Sequence, residues 1–246
     1  SFARYLAAAG INLVLLARRQ GPLQALAGEL QDAHGIEVRT VSLDLTAPDL
    51  LQSLAPHVTG LEVGLLIYNA GSTIRYGRFD QWQLEELDFM LQLNCRAPVH
   101  LAHYFSQGMV RRRRGGIMLL TSAAAFAGSA HMAVYPASKA FDNIFAEGLW
   151  QDLQPVGVDC LSLVVGATRT PSHRDVDFSR FNPDLPDGGA MQCDDVAWEG
   201  LNQLGLHPAW IVGEHIRTRY PATYPEQRAQ AIAMMSRATA AINGLE

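Results

Sequence analysis

The sequence predicts an α/β fold, a doubly wound parallel sheet with helices on both faces, as a single domain over residues 1–246. Three observations carry this. Six short runs are nearly continuous in apolar residues, as strands buried on both faces are. Longer amphipathic segments alternate with them, and that repeating order implies parallel pairing through crossovers. The 246 residues, 48% hydrophobic, supply one large core, and no repeat or low-complexity linker divides them.

The chain opens on SFARYLAAAG, helical in periodicity and closed by a glycine suited to a C-cap. INLVLLA (11–17) reads as a strand, 22–34 as a helix, EVRTVSL (37–43) as a strand and 47–57 as a helix. VGLLIY (63–68) is the next strand, and one long helix is expected over 81–110. Strand GIMLLTS (116–122), helix 133–154, strand VDCLSLVV (158–165), helix 194–205, strand AWIV (209–212) and helix 224–243 complete the series. A doubly wound nucleotide fold normally opens with a strand and a Gly-rich turn, and neither precedes the first helix. The sequence is therefore expected to begin inside that helix, with residues upstream in the full protein. A sheet without its central first strand would be open at its middle, with unpaired backbone groups on its neighbours.

Composition excludes several functions. A net charge of −5 without a broad basic stripe argues against nucleic acid. The run Arg111–Arg114 is expected at a helix C-terminus, where cations suit the dipole; an anion patch is the competing reading. Cys95, Cys160 and Cys193 are widely spaced and odd in number, which points to reduced thiols and a cytoplasmic protein. No apolar run reaches transmembrane length and no signal peptide pattern is present, so no membrane partner is expected. The histidines show no HExxH spacing. His100 and His103 can share a helix face, yet no metal is expected.

The chemistry centres on AVYPASKAF (133–141). Lys139 is the only lysine in the chain, and Tyr135 lies four residues before it, on the same face of a helix. A phenol with a reference pKa of about 10 is a poor acid or base at neutral pH. A neighbouring ammonium favours the phenolate and brings such a group toward its working range.

These residues resemble the short-chain dehydrogenase/reductase family over nearly the whole chain. YPASK is similar to its Tyr-x-x-x-Lys box, and Ser122 in LLTSAAA, 13 residues upstream, matches its active-site serine. Asn94 in LNCRAP matches the asparagine of the family's tetrad. YNAG (68–71) resembles the Asn-Asn-Ala-Gly signature, with Tyr68 in place of the first Asn. VVGATRTP (164–171) resembles the Pro-Gly-x-x-x-Thr element, with Val165 in place of Pro. The resemblance implies a Rossmann-like fold and a nicotinamide cofactor that exchanges hydride with a carbonyl or alcohol carbon. Tyr135 would give or take the proton, and Ser122 would hydrogen-bond the same oxygen. Lys139 would hold the nicotinamide ribose, with Asn94 anchoring a water that links it to solvent. A strand-end polar cap is the plainer reading of Ser122.

Where an NAD enzyme places an acidic residue after the strand, this chain has Ala17, Arg18 and Arg19. An arginine pair can hold a 2′-phosphate, so NADP(H) is preferred, with NAD(H) possible; a solvated turn is the competing reading. Asp44 and Leu45 would meet the adenine, Asp44 being otherwise a helix cap. Asn69, Ala70 and Gly71 would line the adenine-ribose side, and Gly166, Thr168 and Thr170 the nicotinamide end. Without the glycine-rich turn, the chain as written is expected to bind cofactor poorly.

The polar, Pro/Gly-rich segment of about 171–193 is expected to cover the substrate, or else to be an ordinary surface loop. Ala123–Phe126, His131 and Met132 would face a hydrophobic small-molecule carbonyl or alcohol substrate; a structural role for His131 is equally open. Trp82, Phe89, Phe105, Phe141, Phe145 and Trp150 are expected mostly in the core. The resemblance implies a homodimer or homotetramer through the two long helices; the Ala-rich, Met-containing stretch 220–246 is expected either to pack on a subunit or to cover the pocket. A non-catalytic cofactor-binding regulator and an epimerase or dehydratase relative are the competing functions.

Overall fold

The computed structural model describes residues 1–129, 131–171, 176–180 and 184–218. They fall into two units, Ser1–Glu62 and Val63–Glu246. The helix expected over 224–243 and the rest of 220–246 lie outside the described residues, as do 172–175 and 181–183 of the expected covering loop.

In the first unit, α1 (Phe2–Ala8) leads to β1 (Leu13–Ala17), α2 (Gln20–His34), β2 (Val38–Ser42) and α3 (Leu50–Val58). The opening helix closes as its periodicity predicts: Gly10 takes φ +75 and its N–H bonds the Ala7 carbonyl. Strands β1 and β2 pair in parallel from Leu13↔Val38 to Ala17↔Ser42. Ala7, Leu13, Leu30 and Ile36 form one cluster, with Leu6, Leu15 and Leu26 against it. Helix α3 starts three residues later than expected, after Asp49, whose carboxylate accepts from the Ser53 hydroxyl at 2.7 Å.

The second unit is built on β3 (Leu65–Tyr68), β4 (Gly115–Ser122), β5 (Val158–Val165) and a short last strand, β8 (Ala209–Ile211), all parallel in the order β3-β4-β5-β8. Ile117, Met118 and Leu119 of β4 and Cys160, Leu161, Leu163 and Val164 of β5 are at most 1% exposed, so the apolar runs are the centre of this sheet. Among the described residues, β1-β2 and β3-β4-β5-β8 are separate ladders, one in each unit. A two-residue ladder of β6 (Thr168–Arg169) with β7 (Met191–Gln192), too short to leave an apolar run, ties the ends of the loop segment.

The single helix expected over 81–110 is instead α4 (Leu84–Leu91), a π-helical turn over Gln92–Arg96, and α5 (Ala97–Arg112). The Glu86 carboxylate accepts from the Gln83 N–H at 2.9 Å and sets the start of α4. Pro98 has no N–H to return to the Asn94 carbonyl, so regular α pairing fails at Asn94. Helix α5 ends at Arg113, which takes φ +52; the arginine run is a helix terminus, with Arg112 donating to the Val63 carbonyl at 2.8 Å.

Helix α6 (Val134–Leu153) packs on the sheet with an unusual face. Its buried residues are Pro136, Ser138, Lys139, Asp142, Asn143, Ala146 and Glu147. Phe141 and Ile144 are 43% and 57% exposed. The aromatics do not form the core as expected: Trp82, Phe89, Phe105, Phe145 and Trp150 are only half-buried, and on α6 polar groups occupy the inward positions. Helices α7 (Cys193–Gln203) and α8 (Glu214–Arg217) complete the described chain.

Candidate active site

Asn94, Ser122, Tyr135 and Lys139 all belong to the second unit, around the C-terminal end of β4. Open parallel sheets present ligands at the carboxyl ends of their strands. Asn69, Ser122 and Gly166 stand at or just past those ends of β3, β4 and β5.

Lys139 is 4% exposed, and its Nζ donates to the Leu120 carbonyl and to Asp142 Oδ2, each at 3.0 Å. The Leu120 carbonyl lies one residue past the end of the β3 ladder, where Tyr68 faces Leu119. Burial pushes the Asp142 carboxyl up to about 6, although the Lys139 charge and hydrogen bond pull it down. On the other side stands Gly71: a Cβ there would come 3.0 Å from Lys139 Nζ and 3.5 Å from Asn94 Oδ1.

Asn94 is fully buried, and its amide is spent on the protein. Its Nδ2 donates to the Ser72 carbonyl and to Ser138 Oγ, both at 3.0 Å, and its Oδ1 accepts from the Ser72 N–H at 3.1 Å. Ser138 in turn donates to the Tyr135 carbonyl at 2.8 Å. The side chain thus ties the loop after β3 to α6 at Ser138, the residue before Lys139. Tyr68, 3% exposed, donates to the Leu93 carbonyl at 2.5 Å, next to Asn94 in the π-helical turn. Its burial raises the phenol far above the ordinary tyrosine range, so it remains a neutral donor.

Ser122 Oγ accepts from the Ala124 N–H at 3.2 Å and caps the 3-10 turn Ala123–Phe126. That uses a lone pair and leaves the hydroxyl proton for another acceptor. Tyr135 is half-buried in the first turn of α6, its N–H bonded to the Met132 carbonyl at 3.1 Å. His131, exposed, holds φ +66, a backbone form rare outside glycine, and its carbonyl accepts from the Gly77 N–H at 2.8 Å. The Gly77 loop is itself fixed to α4 by Arg75, which forks onto Glu86 at 2.9 and 2.8 Å.

The remaining expected residues divide between the units. Arg18 and Arg19 are exposed directly after β1, and Ser42 donates to the Arg18 carbonyl at 3.1 Å. Asp44 is no helix cap: it closes a turn by accepting from the Thr46 N–H and hydroxyl at 2.9 and 2.8 Å. The Thr46 N–H chiefly holds its carboxyl below the usual range, against some desolvation, with the Thr46 hydroxyl and the Arg18 charge assisting. Leu45 is half-buried beside it. In the second unit Asn69 and Gly71 are exposed and Ala70 is half-buried. Gly166 packs closely on α8: a Cβ there would lie 2.2 Å from Ile216 Cδ1, so that side chain would have to shift. Thr168 donates to the Gly166 carbonyl at 3.0 Å, and the Thr170 N–H bonds the Thr168 carbonyl at 2.9 Å. Three participants escaped sequence reasoning: Ser72, Ser138 and Asp142. Only Asp142 left a signal, an acid one helical turn after the sole lysine.

Comparison with known proteins places this geometry. The family model described as short chain dehydrogenase matches residues 1–179. The 7beta-hydroxysteroid dehydrogenase of Collinsella aerofaciens is 27% identical over 222 residues, 87% of this chain and 81% of that protein. A structure solved in a study of 7beta-hydroxysteroid dehydrogenase stereoselectivity superposes with a TM-score of 0.80 at 25% identity, covering 89% of this chain and 84% of the other. A short-chain dehydrogenase from Sphingobium yanoikuyae in complex with NADPH gives 0.75 at 27% identity over 98% and 89%. The matched segment includes the β1 end, the Asn94 turn, Ser122 and the Tyr135–Lys139 helix. The chain therefore has a Rossmann-like fold and belongs to the short-chain dehydrogenase/reductase family of NAD(P)-dependent oxidoreductases.

Proposed function

We propose that the protein is an NADP(H)-preferring oxidoreductase for a hydrophobic carbonyl or secondary alcohol, with Tyr135 as its general acid and base. The observation that carries this is the placement of Lys139: a buried ammonium, one turn after Tyr135, held to the backbone two residues before Ser122.

The residues present fit a nicotinamide cofactor. Gly71 leaves the flank of Lys139 without a side chain, and Arg18 and Arg19 are exposed where a 2′-phosphate would be read. Asp44, Leu45, Asn69 and Ala70 would hold its adenosine side, and Gly166, Thr168 and Thr170 its nicotinamide side. When bound, that cofactor supplies or accepts the hydride. Tyr135 exchanges the proton with the substrate oxygen while the Ser122 hydroxyl, preset by its bond to Ala124, donates to the same oxygen. Lys139 stabilises the phenolate, and Asn94 keeps Ser72 and Ser138 in place around them.

The 7beta-hydroxysteroid dehydrogenase likeness and the NADPH-bound neighbour support a bulky apolar ketone and NADPH. Exposed Leu84, Leu91, Phe141 and Ile144 on α4 and α6 support a homodimer or homotetramer. Three free cysteines support a cytoplasmic setting. No helix among the described residues is long and apolar enough to cross a membrane, and none of their His, Cys, Asp and Glu clusters could hold a metal.

The test is oxidation of NADPH and NADH by the full-length protein over a panel of ketones and aldehydes that includes a 7-oxo steroid. Tyr135→Phe should lose about 100-fold or more in kcat, and Lys139→Arg should also be severely impaired, because a planar guanidinium replaces a compact ammonium. Full activity of Tyr135→Phe on an accepted substrate would overturn the mechanism.

A further inference from the structure

Asp142 has no part in the proton path just described, yet it is the most buried charged group beside it. Its side chain is 1% exposed and that of Lys139 5%, and Oδ2 lies 3.0 Å from Nζ. We infer that Asp142 is a positioning residue: its carboxylate and the Leu120 carbonyl together fix the Lys139 ammonium, and the site is competent only while that carboxylate is ionised. The inference rests on the reading of Lys139 given above.

A surface pair at this spacing would be incidental, but a buried pair gains little stability over apolar replacements, because both charges lose their water. A flexible four-carbon amine needs fixed acceptors to stay in one place. Here it has two, on different elements: a strand carbonyl from β4 and a carboxylate from its own helix. Among the described residues, Asp142 acts electrostatically on Tyr68 of β3 and Cys95 of the π-helical turn. Burial raises both acids, Cys95 to about 11, so neither brings charge at neutral pH. Lys139 is left as the charge that balances Asp142.

Asp142 Oδ1 is buried and makes no hydrogen bond among the described residues, so one oxygen holds the ammonium and the other is open to a proton. Protonation there removes the ionic half of the clamp. With the carboxyl raised to about 6, this falls within reach of ordinary assays.

The experiment compares wild type with Asp142→Asn by infrared titration of the unliganded protein, NADPH binding and kcat/KM against pH. We expect a carboxyl C=O band that titrates near pH 6 and is absent from Asp142→Asn. Wild-type kcat/KM should fall as pH drops through the same midpoint. In Asp142→Asn it should be about 10- to 100-fold lower at neutral pH, with weaker NADPH binding and no inflection near 6. A purely structural role predicts a changed melting temperature with an unchanged pH profile, and that result overturns the inference. If Asp142→Asn does not fold, the wild-type curves decide: coincident infrared and kinetic midpoints support the clamp, and a carboxyl silent near 6 refutes it. Should no substrate be found, the oxidoreductase reading fails separately, while the infrared band and the pH dependence of NADPH binding still test Asp142.

Discussion

Replacing Gly71 with alanine should damage the site out of proportion to one methyl group. The added Cβ would sit 3.0 Å from Lys139 Nζ, 3.3 Å from its Cε and 3.5 Å from Asn94 Oδ1. Gly71 does not have a positive φ, so alanine meets no backbone penalty and the effect is steric alone. A free lysine tip would swing aside at little cost. This one is held by two bonds of 3.0 Å, so relief of a few tenths of an ångström must come from those bonds or from the loop that Asn94 clamps. Overpacking of this kind costs about 1–3 kcal/mol, and displacement of a reacting group by a fraction of an ångström costs about 10- to 100-fold in rate. The assay is kcat/KM and NADPH affinity beside thermal unfolding, with Gly128→Ala as control, because a Cβ at Gly128 meets nothing within 4 Å. Wild-type kinetics and stability in Gly71→Ala would show that Lys139 is not pinned, and the account of the site would fall with it.

Other consequences can be measured on the same protein. Tyr68→Phe removes the 2.5 Å bond to the Leu93 carbonyl and should cost about 1–3 kcal/mol in urea unfolding, with Asn94-dependent activity reduced as well. Arg18→Ala with Arg19→Ala should raise KM for NADPH at least about tenfold while leaving NADH nearly unchanged, as steady-state kinetics with both cofactors will show. Asp142 also predicts the pH dependence of stability. Its carboxyl is raised in the folded state from 3.8 to about 6, so the native protein binds the extra proton. Its contribution is present below the unfolded value and is lost as pH rises through about 6, a change of about 3 kcal/mol at most. The stability of wild type relative to Asp142→Asn should therefore increase between neutral pH and about pH 5, measured by denaturant unfolding at each pH.

Much of this was legible because parallel strands buried on both faces leave a plain signature. VDCLSLVV and GIMLLTS are β5 and β4 almost to the residue. The helices were harder. An apolar pattern runs on from Leu84 to Val110, and only the missing N–H of Pro98, four residues after Asn94, betrays that the backbone must change form there. The inward side of α6 misled in the opposite direction. Periodicity assigns Phe141 to the core, but a polar cluster built around Lys139, Asp142 included, takes the buried positions instead. Ser122, Tyr135 and Lys139 stand out in the sequence through their spacing. Ser72 and Ser138 do not, since a serine that serves another residue's amide looks like any other serine. Asp142 lay between these cases, visible as a charge at helical spacing but not as a buried one.

The bond from Lys139 to the Leu120 carbonyl also indexes a helix against a strand. Each residue of an α-helix advances about 1.5 Å, so a slip of α6 along β4 by even one position would carry the ammonium out of reach of that carbonyl. The lysine thus works as a detent. It ties the helix that carries Tyr135 to the strand that ends at Ser122, so the two hold one register.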